Sequence, residues 1–508
     1  MYIRKKPNKS GSVSIQIIDT SGSHDHLIKT IGSSSDPQKI EEYMYEADLW
    51  LSRYMKQKRL GLEYAEDKTF ITSLKSGLDK ILLVGPELIL GKIFDQIGFN
   101  QIQEILFRHL VISRLVFPLS KLKTCEYLLR YQNVEISVDQ IYRYMDKLQA
   151  QQKKKLQEIS YQHTKKLFNG QISIVFYDVT TLYFEASDED DLRKTGYSKD
   201  GKHQHPQIVL GLLVSLQGYP LAFEMFEGNQ FEGHTMLPVL ESFKKQFSLD
   251  KLVIVADAGL MSKNNLKKLS EKGYDFIIGA RIKNQAAERK QMILSKKPQD
   301  GQSVIIPDEN GYRLIVSYAS SRARKDTKNR EKGLKRLESK LGKGKLNKQH
   351  INNRGYNKYL KLKGDVKISI DYDKFKSDQD WDGLKGYLTN TKMSKEQVIE
   401  NYKSLWEIEK AFRISKTDLR VRPIYHRLPQ RIEAHLCIAF CAYKVYKELD
   451  RQLKLKKSHI TVEKAIDLMK TIYQLKVKLP KSNHIKEIIF TDGENQKILL
   501  DTFNIKLD

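Results

Sequence analysis

Cysteine is scarce in this chain. Only Cys125, Cys437 and Cys441 occur among 508 residues, which excludes a disulfide framework and fits a reducing compartment. Cys437 and Cys441 lie four apart in an apolar run with helical spacing, so both are expected in the core. Long apolar runs are missing too. No stretch approaches the ~20 apolar residues of a membrane span, and the opening MYIRKKPNKSGSVSIQ has no apolar signal core. The expectation is a soluble, cytoplasmic chain. No GxxxxGK(S/T) loop is present, which disfavours an NTPase motor. Acidic charge is in deficit: 62 Asp and Glu face 88 Lys and Arg, a formal net charge of +26. Such a field draws in phosphates and makes binding salt-dependent. Charge alone leaves a ribosome-associated scaffold open.

The length suggests about three domains. Residues 1–75 read as a small accessory module, with strand VSIQII, a Gly/Ser-rich turn near Gly32 and a helix from Pro37 to Lys58. Residues 76–168 are helical, and ISRLVFPLSKLKTCEYLLRYQNVEISVDQIYRYMDKLQ reads as helix, turn, helix, with Ser137 as N-cap and Asp139 in the first turn. Arg143 and Lys147 share one face of that second helix. It is either a recognition helix for a DNA groove or an ordinary helix with a solvated basic face. Residues 169–283 alternate in strand fashion, with a hairpin turn at Gln217-Gly218, and give the order β, β, β, α, β, α, β. Residues 284–380 form a basic insertion. Its SRARKDTKNREKGLKRLESKLGKGKLNK has only Asp326, Glu331 and Glu338 as counter-charge, and reads as a clamp on a duplex backbone or as a disordered charge run. KISIDYD and GLKGYLTNT look like strands. Residues 381–450 form a further segment in which helices resume from Ser394, and 451–508 is a C-terminal region. The fold class is mixed α/β.

Three acids stand out: Asp178 in VFYDVTTLYFE, Asp257 in LVIVADAGLM and Glu409 in NYKSLWEIEKAFRISK. Two strand-end aspartates and a helical glutamate could converge on hard divalent cations, which prefer carboxylate oxygens. Among 62 acidic residues, a solvated surface role is the alternative. Tyr402, Glu409, Arg413 and Lys416 sit at offsets 0, 7, 11 and 14, which would stack on one helical face. There the acid would take the ion while phenol and cations hold phosphate oxygens. A surface Glu409–Arg413 pair is the plainer alternative. His203, His205 and His234 make a weak zinc set without cysteine. With Lys199 and Lys202, those histidines are expected to line the path of a polyanion. Asp382 precedes a turn glycine, His435 reads as a core histidine, and Trp381 and Trp406 are expected in the core.

The segments YDVTTLYFE, GYSKDGKHQHPQIVLGLLVSLQGYPLAFEMFEGNQFEGHT, VADAGLMS and Y-x6-E-x6-K, in this order, resemble DDE transposases of the insertion-sequence-four group. Tyr402, Glu409 and Lys416 match that group's Y-(2)-R-(3)-E-(6)-K signature, whereas Leu405 stands at its arginine position. The resemblance covers about 170–445. It implies a ribonuclease-H-like core, interrupted by the basic insertion and preceded by a helical DNA-binding region. It further implies that Asp178, Asp257 and Glu409 bind two Mg²⁺ or Mn²⁺ ions and cut and join DNA by a cut-and-paste route. Tyr402 and Lys416 would contact phosphates near the cleaved end, with Arg413 as a further cation. The partners implied are terminal inverted repeats and target DNA, bound by a homodimer, and the source implied is a bacterial insertion sequence. A nuclease that cuts without joining, and a non-catalytic DNA-binding derivative, remain as alternatives.

Overall fold

The computed structural model describes residues 1–506 apart from Ser23, Gln171, Lys199, Ser248, Asp250, Met261, 308–310, 353, 354, 364–366, 480, 481 and 483. For side chains it also leaves out 56–71, 73, 74, 76, 149–151, 260, 263, 363 and 367. The chain opens with strands β1 (Tyr2–Pro7), β2 (Val13–Asp19) and β3 (His26–Ser34), helix α1 (Pro37–Gly77) and strand β4 (Leu78–Leu83). Helices α2 (Lys92–Ile97), α3 (Ile105–Val116), α4 (Lys121–Gln132) and α5 (Val138–Leu167) follow. Next come β5 (Ile174–Tyr183), β6 (Gln207–Ser215), β7 (Pro220–Glu227), α6 (Met236–Phe247), β8 (Val253–Ala256), α7 (Lys263–Glu271) and β9 (Asp275–Ala280). The segment after them holds α8 (Ala287–Ser295), β10 (Ser303–Pro307), β11 (Arg313–Tyr318), α9 (Ser320–Gly342), β12 (Leu360–Lys363), β13 (Lys367–Ile370), α10 (Tyr372–Ser377) and β14 (Leu384–Thr389). The chain closes with α11 (Lys395–Lys403), α12 (Trp406–Thr417), α13 (Pro429–Leu455), α14 (Val462–Met469), β15 (Tyr473–Lys478), β16 (Ile485–Phe490) and α15 (Glu494–Thr502).

Two compact units result. One gathers residues 1–82 and 473–490, the other 83–472 and 491–506. In the first, β1, β2 and β3 form an antiparallel sheet whose Ile15 and Ile17 pack with Ala47 of α1. Strands β16, β15 and β4 make a second sheet there. Helix α1 runs well past Lys58, where the sequence suggested it would stop.

The second unit is built on an eight-stranded sheet in the order β10-β11-β14-β9-β8-β5-β6-β7. Strand β6 is buried along its whole length, which is why QIVLGLLVS reads as an unbroken apolar run instead of an alternating one. Strands β5, β8 and β9 run parallel, while β6 and β7 fold back antiparallel. Parallel neighbours need a crossover, and α6 and α7 supply them, so the element order expected for 169–283 is present. Strands β10 and β11, expected in an insertion apart from the core, instead extend this sheet through β14. Their apolar residues, such as Ile306, Leu314 and Val316, join the same core cluster. Helix α5 begins at Ser137 with a reciprocal capping box: Ser137 accepts from the Gln140 N–H while the Gln140 side chain accepts from the Ser137 N–H. Helix α13 is buried, and burial pushes the Cys437 thiol up to about 12, as suits an inert core cysteine.

The basic run is ordered: it forms α9. Its sole buried arginine, Arg330, donates to Asp382 at 2.7 Å, and the Thr327 hydroxyl donates to the same carboxylate at 2.8 Å. Asp382 is therefore the anchor of the basic helix. Removing one partner of a buried ion pair leaves an uncompensated charge, so Asp382→Ala is expected to cost about 3–5 kcal/mol. Urea unfolding of the full chain checks this. The double variant Arg330→Met/Asp382→Leu should lose less.

Candidate active site

The sheet brings the two aspartates together by register. Parallel pairing sets Ile174 against Val253 and continues to Tyr177 against Ala256. The offset is 79 residues (256 − 177), the same as between Asp178 and Asp257 (257 − 178). The acids are thus the next pair along strands about 4.8 Å apart. Side chains alternate along a strand. Val175, Tyr177 and Val179 face the core under α6, where Tyr177 donates to the Thr235 hydroxyl at 2.8 Å. Asp178 therefore faces the opposite side, the one covered by α11 and α12. It is half-buried, and its Oδ1 accepts the Val179 N–H at 2.8 Å. Asp257, just past the end of β8, is exposed.

Helix α11 supplies the first group over this pair. The Tyr402 hydroxyl donates to Asp257 Oδ1 at 3.2 Å. Burial, and then the Asp257 charge, push the phenol above its ordinary pKa, so it stays a donor. Gly279 of β9 makes this approach possible, because a Cβ there would collide with the Tyr402 hydroxyl. The Tyr387 ring meets Tyr402 edge-on at 5.1 Å.

Lys385, which spacing arguments missed, projects from β14 with its Nζ 4.5 Å from the Tyr402 ring centre. Burial pushes its pKa down, Arg322 adds to that, and Asp257 and Glu409 oppose both. The only sequence signal was its place two residues before Tyr387 in GLKGYLTNT, hence on the same strand face.

Glu409 lies in the first turn of α12, favourable to an acid. It is exposed, and its charge reaches Tyr402 and Lys385. Among the described residues no three His, Cys, Asp or Glu side chains stand close enough together to hold a metal ion. The two aspartates thus lie one step beyond the last register pair, Tyr177 with Ala256, with Glu409 on the same side and not closed onto them.

The single helix expected through this region is broken. Helix α11 ends at Lys403 and α12 starts at Trp406. The Ser404 N–H bonds to the Glu400 and Asn401 carbonyls, both at 3.2 Å, and its hydroxyl turns back on Glu400 at 3.4 Å. Such local side-chain bonding competes with helical continuation. Leu405, at the signature's arginine position, is buried at the break. Tyr402 therefore does not ride on one helical face with Glu409, Arg413 and Lys416.

The remaining expected residues are dispersed. Lys416 is paired with Asp200 at 3.1 Å, and Arg422 holds the same carboxylate. Although burial opposes it, these two cations hold Asp200 below the usual carboxylate range. Arg413 is exposed and has no ion pair among the described residues. Lys202 stands 5.5 Å over the Tyr183 ring, and Lys199 lies outside the described residues. His203 accepts the Ser198 N–H at 3.2 Å, and His205 sits 3.2 Å from the Phe184 carbonyl. On α5, Arg143 is exposed and Lys147 pairs with Glu104 at 3.2 Å. Trp381 is in the core as expected. Trp406 is not: it is 53% exposed, with Lys410 5.8 Å from its ring.

Comparison with known proteins supplies the family. Residues 169–444, just over half the chain, match the family model described as Transposase DDE domain. No match was found among curated proteins. Among solved structures, a piggyBac transposase synaptic complex with hairpin DNA is 10% identical and covers 77% of this chain and 79% of its own, with a TM-score of 0.36. A Mos1 transposase paired-end complex with the left transposon end is 10% identical, covering 31% and 53%, with a TM-score of 0.16. A Mos1 mariner paired-end complex with Mn is 12% identical, covering 31% and 54%, with a TM-score of 0.15. These structural likenesses are too low to argue from, and the assignment rests on the sequence match. With both strand aspartates and Glu409 inside the matched residues, this chain belongs to the DDE transposase family.

Proposed function

We propose that the chain is a metal-dependent transposase of a bacterial insertion sequence, working by a cut-and-paste route on a ribonuclease-H-like core. The observation that carries this is the register pairing of Asp178 with Asp257, under the helices that bear Tyr402 and Glu409. The strand arrangement β7-β6-β5-β8-β9, with an acid on the first strand and another after the fourth, supports the core assignment. The donors are all hard oxygens, as Mg²⁺ or Mn²⁺ require. Neighbouring carboxylates repel each other until a cation neutralises them, so Asp178 and Asp257 suit a shared ion. Glu409 is the third ligand proposed.

Bound divalent ions would supply polarisation of the scissile phosphodiester and activation of the attacking oxygen. The chain's own residues do the rest. Tyr402 fixes the rotamer of Asp257 through its hydroxyl. Lys385 balances the acidic cluster from β14. The exposed cations of α9, with Lys202, Arg413, Arg143 and Lys147, hold phosphates along the DNA path. Water attacks at an element end and frees a 3′-hydroxyl, which then attacks the target phosphodiester. The two ends are paired by a homodimer on DNA. Trp406, exposed beside Glu409, is available to stack on an unpaired base.

Three outcomes are expected. Asp178→Asn, Asp257→Asn and Glu409→Gln should each reduce cleavage of labelled element ends by more than the ~100-fold typical of losing an outer-shell partner, while leaving duplex binding intact. Full cleavage in any of them removes that residue from the site. Wild-type protein should also yield joined strand-transfer product. Cleaved ends with no joined product would identify a nuclease instead. Tyr402→Phe keeps the ring and removes the donor, so single-turnover cleavage should fall roughly 10–100-fold and need more Mg²⁺.

A further inference from the structure

A second cluster lies away from these acids, where the end of α3, the start of α4, the 418–428 loop and the start of α13 meet. Arg114 and Lys121 are only 7% and 5% exposed. Among the described residues neither side chain has a hydrogen bond, an ion pair or an aromatic ring beneath it. Their charged ends still reach solvent, since none of their nitrogens is among the fully buried atoms left without a partner, so an anion can approach them. His435, 6% exposed, joins them: one ring nitrogen lies 3.2 Å from the Val421 carbonyl, and Nδ1 is buried with no partner. The His426 ring stands 5.3 Å from it. The Tyr142 ring meets His426 edge-on at 6.0 Å, and the charges it feels are all cationic: burial first, then Lys121, Arg114 and Arg431, push it down to about 3. The nearby acids are committed elsewhere, since Asp146 takes Arg431 through two bonds of 2.8 Å and Glu126 takes Lys123.

Two buried cations without partners, two histidines beside them and no uncommitted acid define a seat for an anion. We infer that Arg114 and Lys121, with His426 and His435 beside them, form a phosphate-binding site, distinct from the carboxylate site. Guanidinium and ammonium N–H donors suit the several acceptor oxygens of a phosphate, while the neutral His435 ring spends its one N–H on the Val421 carbonyl and keeps Nδ1 as an acceptor. The phosphate is either inorganic or a phosphodiester of bound DNA. The inference does not depend on the catalytic reading.

The test is thermal unfolding of the full chain in rising inorganic phosphate, with ionic strength held constant by KCl. Wild type should show a saturating rise in Tm, because a site filled at 100 times its Kd raises the folded-to-unfolded ratio about 100-fold. Lys121→Met should keep only the unsaturating stabilisation that phosphate gives proteins in general. Lys121→Arg should retain the response, as should Lys123→Met, whose ammonium is exposed and paired. Duplex binding across a range of KCl separates the two sources. If a phosphodiester enters the site, Lys121→Met lowers the salt slope by about 0.9. An unchanged slope with a lost phosphate response assigns a small anion. If Lys121→Met does not fold, calorimetric titration of phosphate into wild type decides by its stoichiometry of one per chain. Wild type and Lys121→Met responding alike to both phosphate and duplex, or no binding by calorimetry, overturns the site.

Discussion

Two carboxylates become neighbours here because β8 pairs with β5 in one register. A slip of one residue would turn Asp257 to the core face and leave Asp178 alone. That register is held by burial: Val175, Tyr177, Ile254 and Ala256 must all point into the same apolar cluster. The hydrophobic face thus dictates where the polar face puts its acids. The arrangement stores repulsion between like charges, and the elements above it answer that repulsion. Tyr402 donates to one acid, Lys385 lies beside them, and Gly279 clears the space in which the phenol fits.

Local patterns were legible where one segment decides its own structure. Ser137 reads as a cap because the capping box needs only residues three apart. The alternation before Asp178 and the turn at Gln217-Gly218 read correctly for the same reason. Asp257 and Glu409 could be picked out as a strand-end and a helical acid; Asp178, expected at a strand end, lies mid-strand because β5 runs on to Tyr183, and its place beside Asp257 follows once β5 and β8 are adjacent. What stayed hidden depends on long-range contact. Lys385 matters only because β14 lies beside β9, over a hundred residues away in sequence. Strands β10 and β11 looked like part of an insertion because their partner, β14, comes after the whole basic segment. Ideal helical offsets hid the break at Ser404 and Leu405. Trp406 looked like core because indole usually is, yet it starts a new helix on the solvent side.

The basic helix shows how charge and order coexist. A segment so rich in Lys and Arg resembles a disordered tail, yet α9 is held by one buried arginine on one buried aspartate and by Leu337 in its own small core. The other cations stay in water, where they cost little and remain available to a polyanion.

Asp200 changes how the charge near the active site should be counted. It already occupies the space between Lys416 and Arg422. The net charge of +26 already counts Asp200, but its position leaves an approaching polyanion little of these two cations' charge. Because its pKa is lowered, despite the opposing effect of burial, Asp200 stays ionised at acidities that begin to neutralise ordinary aspartates. Mild acidification makes the rest of the surface more positive while these two cations remain masked. A competitor that displaces Asp200 exposes them where mild acidification does not.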